Sequence, residues 1–252
     1  ILDMAWEDAA CRPDEPVADG RRGDCIATIS RTPDGRAVVW QPADYDLTSL
    51  VTSVVRQAQI DRWAQRLART MVTYEQELHA VTGEHASFYL VGHSLGGQVV
   101  VRALRAILED PWLRQWFADG RRGMLQAVVS IDGALNWAGA VGSLSDGPRC
   151  GLPVHTLPDE SLEADNVRAV EAAYDAFGTL TVAMTSATDP IVGPDVALLR
   201  RPPPSAGYVE VIAHEDATGV DECSHSALLW PEPTGFPLNA VLIEHVGRAA
   251  GE

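Results

Sequence analysis

The run Phe88-Tyr89-Leu90-Val91 is apolar, and directly behind it stands Gly92-His93-Ser94-Leu95-Gly96-Gly97. Helical spacing then begins at once, with Val100, Leu104, Ile107 and Leu108 on one face and Pro111 as the stop. A strand that turns this sharply into a helix forces its turn residue into a strained backbone conformation, with neighbouring chain close on both sides. Gly92 and Gly96 lack a Cβ where one would clash, so the spacing predicts Ser94 at the tip of the turn. The helix that follows would aim its first N–H groups and its positive dipole end at any negative charge developing beside Ser94. The competing reading is a glycine-bounded turn with an incidental serine.

The surrounding pattern is of one kind. Residues 37–40 (Ala-Val-Val-Trp) read as a short strand. An amphipathic helix is expected over 59–82, where Ile60, Trp63, Leu67, Met71, Tyr74, Leu78 and Val81 recur at steps of three and four and Gly83 closes the run. Its aromatic positions are read as core rather than ligand contacts. Further strands are expected at 127–131, 180–184 and 208–212, a helix over about 162–177, and a closing helix over 239–246. Strands alternating with helices in this way predict an α/β fold with parallel strands. Neither an internal repeat nor a linker interrupts the chain, so a single domain over residues 1–252 is expected.

The Gly-His-Ser-Leu-Gly-Gly wording, placed between a strand and a helix, resembles the nucleophile elbow of α/β-hydrolases, where it is common among lipases, esterases and related acyl hydrolases. Two downstream stretches resemble the same family. Thr185-Ser186-Ala187-Thr188-Asp189-Pro190-Ile191-Val192 matches its strand-end loop presenting an acid, and Ser224-His225-Ser226-Ala227-Leu228-Leu229 matches its loop presenting a base. The resemblance implies a mostly parallel central sheet flanked by helices and a catalytic triad of Ser94, Asp189 and His225 in the family's chain order. Asp132, one strand earlier, is the rival acid, and His214, directly after the last expected strand, the competing base. His93 fills the elbow's variable position. His79 and His85 flank the long helix and read as solvated, His155 lies in the 134–178 excursion, and His245 lies in the closing helix.

A serine hydroxyl needs a base to take its proton and the base needs an orienting acid, and this order supplies both. The Leu95 N–H is the expected oxyanion donor, worth roughly 3–4 kcal/mol by analogy with other oxyanion holes. Here the sequence departs from the family, because no strand followed by His-Gly precedes Ser94 to mark the second donor. Either the chain starts inside the fold, with N-terminal strands beyond it, or residues 1–35 supply an unusual oxyanion loop. The loop-rich excursion over 134–178 is the candidate lid, with Leu135 and Trp137 as acyl-pocket contacts; the alternative is an ordinary surface excursion.

Composition narrows the partners. A net charge of −16 with no basic cluster argues against nucleic acid. No apolar run approaches the ~18 residues that suggest a membrane-spanning helix. Every basic residue is Arg, which reads as a compositional bias of the genome rather than as chemistry. Cys11, Cys25, Cys150 and Cys223 all lie in polar loop-like sequence, which fits two disulfides and leans toward secretion. Cys11–Cys25 with Cys150–Cys223 is the preferred pairing among three. No cysteine spacing resembles a zinc site, and neither a metal nor a cofactor is expected. The chain begins at Ile1, so it is expected to be processed or a fragment.

These features together point to a serine hydrolase cleaving small-molecule or lipid carboxylic esters through an acyl-enzyme. The same triad serves thioesterases, amidases and acyltransferases, and a non-catalytic hydrolase-like binding protein is the reading outside enzymes.

Overall fold

The computed structural model describes residues 28–31, 37–40, 57–83, 85–118, 124–136, 160–186, 189, 192 and 194–213. They fall in two compact units, one within residues 1–45 and one within 46–252. The first holds an antiparallel hairpin of β1 (Thr28–Arg31) and β2 (Ala37–Trp40), with Thr28 opposite Trp40 and Arg31 opposite Ala37. The expected strand at 37–40 is therefore present, but its partner is β1. The sequence order had predicted a parallel partner.

The second unit is built in the expected alternation. Its elements are α1 (Gln57–Thr82), β3 (Phe88–His93), α2 (Leu95–Glu109), α3 (Pro111–Ala118), β4 (Leu125–Ile131), α4 (Glu160–Phe177), β5 (Leu180–Ser186), α5 (Pro194–Ala197) and β6 (Tyr208–Ala213). The four strands form one parallel sheet in the order β3-β4-β5-β6. Leu90 lies beside Val128, Val128 beside Thr181, and Thr181 beside Tyr208. A parallel sheet is normally covered on both faces, and β4 shows it, with every residue but Gln126 buried.

Helix α2 is the centre of the helical packing. Val99, Val100, Val101, Ala103, Leu104 and Ile107 are all buried, more than one apolar stripe can hold, because α2 packs against β3 and β4, α1 and α4. Helix α1 meets it along a seam of Ile60, Ala64, Ala68, Met71 and Val72. Trp63, Leu67, Tyr74 and Leu78, expected in the core, are only half-buried and flank that seam. Alanines win the contact line because a small side chain lets two helix axes approach closely. The buried Arg102 guanidinium ties the pair, donating to the Asp61 carboxylate and to Gln57 Oε1 at 2.6 Å. Arg105 of α2 reaches Asp165 of α4 at 2.8 Å.

Pro111 does end the α2 run, but it also opens α3, at the first helical position where its missing N–H costs nothing. The Asp110 carboxylate caps that helix, accepting from Trp112 N–H at 2.9 Å and Leu113 N–H at 3.3 Å. Gly83 closes α1 as expected, at φ 73° with its N–H on the His79 carbonyl at 2.8 Å. On the far edge of the sheet, burial pushes the Tyr208 phenol's pKa up, and its oxygen accepts from Leu199 N–H at 3.1 Å. The expected closing helix over 239–246 lies outside the described residues, as do all four cysteines.

The Ala68 position generates a prediction. Ala68 is fully buried on the seam, so Ala68→Leu should overpack it and destabilise the chain by about 1–3 kcal/mol. The check is a lowered urea midpoint at unchanged denaturant slope; an unchanged midpoint would mean that the seam has room.

Candidate active site

The turn after β3 has the predicted geometry. Ser94 sits at φ 54° and ψ −124°, a conformation that L side chains rarely adopt, directly before α2 begins at Leu95. A Cβ at Gly92 would collide with the Gly96 carbonyl, so glycine is required there by backbone and not by a movable side chain. Gly97 is constrained from the other side, since a Cβ there would meet Ser130 Oγ and lie 2.7 Å from the Gly133 Cα. The first turn of α2 thus lies almost directly on the end of β4.

A serine at a helix N-terminus normally accepts a hydrogen bond from one of the first N–H groups. Ser94 makes no such side-chain capping bond. Its hydroxyl is left out of the helix cap, while its backbone is held firmly: Ser94 N–H donates to the Ile131 carbonyl at 2.9 Å, and Gly97 N–H to the Ser94 carbonyl at 2.9 Å. The half-buried Leu95 provides the first N–H of α2, at the positive end of the helix dipole.

The two candidate acids stand at the ends of the next two strands. Asp132 follows β4 at φ 46° and is 1% exposed. Its N–H donates to the Met184 carbonyl at 2.8 Å, and its Oδ1 accepts from Ser186 N–H at 3.0 Å. Asp132 is therefore a clamp between β4 and β5. Asp189 lies three residues past β5 and is 8% exposed. Its N–H donates to the Ser186 carbonyl at 3.4 Å, and its Oδ1 accepts from Val192 N–H at 2.9 Å, fixing a tight turn. Ser94, Leu95, Asp132 and Asp189 all stand at the carboxyl ends of three adjacent parallel strands, where α/β sheets hold their ligands. His225, the rival His214, and Trp137 lie outside the described residues. His93 is half-buried at the end of β3, beside Ile131.

Both described ends of the 134–178 excursion are packed into the fold. Ala134, Leu135 and Asn136 are buried directly behind Asp132, and α4 lies against α2. Leu135 is fully enclosed, with Asn166 Nδ2 of α4 donating to its carbonyl. Gln98 Nε2 donates to the Ala134 carbonyl at 2.9 Å. Asn136 Nδ2 donates to the carbonyls of Asp195 at 2.6 Å and Leu198 at 3.0 Å. These amides, together with Ser130 and Gly133, support the site but were not singled out from the sequence. The available signal was Ser130 and Gly133, small residues on either side of Ile131-Asp132, which mark a close backbone approach at a strand end.

No protein-family model matches the chain, and no curated protein matches it by sequence. Among solved structures it is similar to a monoacylglycerol lipase of Paleococcus ferrophilus, at 15% identity over 73% of this chain and 75% of that one, with a TM-score of 0.40. A carboxylesterase of Lactobacillus plantarum is matched at 15% identity over 80% and 73% of the two chains, TM-score 0.40. The esterase domain of a Rhodothermus marinus protein is matched at 19% identity over 71% and 70%, TM-score 0.34. The parallel sheet, its flanking helices and the strand–Ser94–helix turn fit the α/β-hydrolase fold that the elbow sequence implies.

The strain at Ser94 is measurable. Ser94→Gly should raise stability by about 1 kcal/mol, as relief of backbone strain outweighs glycine's added unfolded-state entropy. Gly92→Ala should cost at least about 3 kcal/mol, because backbone must move to admit the methyl group. Chemical denaturation of the three proteins decides it, and a Ser94→Gly chain less stable than the parent would remove strain from the account.

Proposed function

We propose that this chain is a serine hydrolase of carboxylic esters, with Ser94 as nucleophile, His225 as general base, Asp189 as the acid that orients it, and the Leu95 N–H as an oxyanion donor. The observation that carries the reading is the Ser94 turn: a serine held at positive φ at the head of a buried helix, its hydroxyl not spent on capping that helix. Strain of this kind persists only where the surrounding structure over-determines it, and it concentrates at functional sites.

In the proposed reaction, Ser94 Oγ attacks the ester carbonyl carbon while His225 takes the hydroxyl proton. The carbonyl oxygen becomes an oxyanion against the first N–H of α2, whose dipole favours that charge. The tetrahedral intermediate collapses with cleavage of the ester C–O bond, and His225 returns its proton to the leaving alcohol. Water, deprotonated by His225, then attacks the acyl-enzyme and releases the carboxylic acid and free Ser94. Asp189 holds the imidazole in the right tautomer and stabilises its charged form.

The buried position of Asp189 at the end of β5 supports its role, and the engagement of Asp132 with Ser186 supports a structural role for the rival. Asparagine keeps the oxygen acceptor that Ser186 N–H needs. Asp132→Asn should therefore retain kcat/KM on nitrophenyl esters within about tenfold, whereas Asp189→Asn should lose about 10³–10⁴-fold, the scale of a triad acid replaced by its amide. The reverse ranking would transfer the acid's role to Asp132.

The direct test is labelling by a fluorophosphonate, read by intact mass. One adduct on the parent and none on Ser94→Ala is the expected result. Folded parent protein that takes no adduct would overturn the enzymatic reading and favour a binding protein.

A further inference from the structure

Helix α1 ends in an arrangement that ester hydrolysis does not use. Gly83, at φ 73°, reverses the chain and brings His85 back alongside the last turns of the helix. The His85 ring stacks on that of His79, with centroids 4.4 Å apart and planes 3° from parallel. Its Nδ1 stands 2.5 Å from Glu75 Oε1. Glu75 and His79 are four residues apart and share a helix face. Glu75 is only 2% exposed, so a carboxylate is buried at the base of the group while both imidazoles stand in solvent.

We propose that Glu75, His79 and His85 form a binding site for a divalent transition-metal ion, with Zn²⁺ the ion their chemistry fits best. One carboxylate oxygen and one nitrogen from each ring all lie within 4.8 Å of one another. Ligands about 2.0–2.2 Å from a tetrahedral Zn²⁺ stand roughly 3.4 Å apart, so binding requires the two exposed rings to turn out of their parallel stack and His85 Nδ1 to draw back from Glu75. Two imidazoles and one carboxylate are a borderline donor set, unlike the all-oxygen shells that Ca²⁺ and Mg²⁺ take. Solvent would hold the fourth position, since both rings are exposed.

The ion would join the end of α1 to the segment that enters β3, only three residues before Phe88. That places a cross-link at the base of the strand whose other end carries Ser94. A metal bound to the folded form alone raises stability by mass action.

The test is titration of the chelator-stripped, dialysed chain with ZnCl₂, by calorimetry and by thermal melting. One ion per chain and a melting temperature that rises as Zn²⁺ is added are expected. His79→Ala removes one ligand and leaves the Glu75–His85 contact in place, so it should keep the parent's metal-free melting temperature. It should also lose at least about tenfold in Zn²⁺ affinity. Co²⁺ gives a second readout, visible absorption bands of a four-coordinate ion in the parent that vanish in His79→Ala. The absence of saturable binding, or binding and spectra unchanged in His79→Ala, would overturn the proposal. Neither readout involves Ser94, so this result stands apart from fluorophosphonate labelling.

Discussion

Backbone lying on backbone is the constraint that the site depends on. The first turn of α2 meets the end of β4 where Gly97, Gly133 and Ser130 occupy nearly the same space, and it meets the end of β3 where Gly92 faces the Gly96 carbonyl. A Cβ at any of these glycines would push the helix off the sheet. With the helix seated, Ser94 has one conformation available, at φ 54°, and the sheet enforces it through the hydrogen bond from Ser94 N–H to Ile131. The strain is thus a consequence of packing. It is held by the apolar burial of α2, from Val99 to Ile107, together with the backbone hydrogen bonds of Ser94, and not by its side chain capping the helix.

The same sheet end carries a hydrogen-bonded sequence that crosses three strands. Ser94 N–H reaches Ile131, Asp132 N–H reaches Met184, the Asp132 carboxylate takes Ser186 N–H, and Asp189 N–H returns to Ser186. Asp132 adopts φ 46° to do this, a conformation that Asp tolerates better than most residues. Its carboxylate satisfies an N–H at the point where β5 stops pairing regularly. Asp189, the acid that the sequence favours, and its rival Asp132 therefore differ physically. Asp132 spends an oxygen between strands, and Asp189 spends one on its own turn.

The Ser94 turn was legible because it is local: strand, serine and helix follow one another from Phe88 to Glu109, and the steric reason for Gly92 lies four residues on, at the Gly96 carbonyl. The parallel alternation from α1 to β6 was legible for the same reason, through hydrophobic periodicity. What stayed hidden depends on contacts distant in the chain. Residues 37–40 read as a strand, but its antiparallel partner at 28–31 sits in polar sequence without alternation. The α1 seam runs through Ala64 and Ala68, while periodicity favoured the larger Trp63, Leu67 and Tyr74, because hydrophobicity scales reward size and helix contact rewards close approach. Helix α3 begins at Asp110-Pro111, a cap followed by a first-turn proline, but the sequence reading took that proline only as a stop. His79 and His85 read as solvated, and they are exposed. Their stacking over the buried Glu75 requires the chain reversal at Gly83, which spacing alone does not specify.

Buried amides accomplish at this site what apolar packing could not. Residues 132–136 leave β4 and stay inside the protein, so their backbone carbonyls cannot reach water. An apolar side chain at position 98 or 166 would fill the volume and leave a carbonyl dry, at a cost of about 1–3 kcal/mol each. Gln98 and Asn166 supply neutral donors instead, and Asn136 carries the connection onward to Asp195 and Leu198. Gln98 lies one turn beyond Ser94 in α2. Ala197 packs with Ala134 against Val192, whose N–H rests on Asp189. The amides that satisfy one buried loop therefore also couple the serine turn to the aspartate turn. Because they are neutral and enclosed, that coupling does not weaken with ionic strength. The half-exposed Arg105–Asp165 pair between α2 and α4 does weaken, so salt should loosen the helical layer before it disturbs the sheet end.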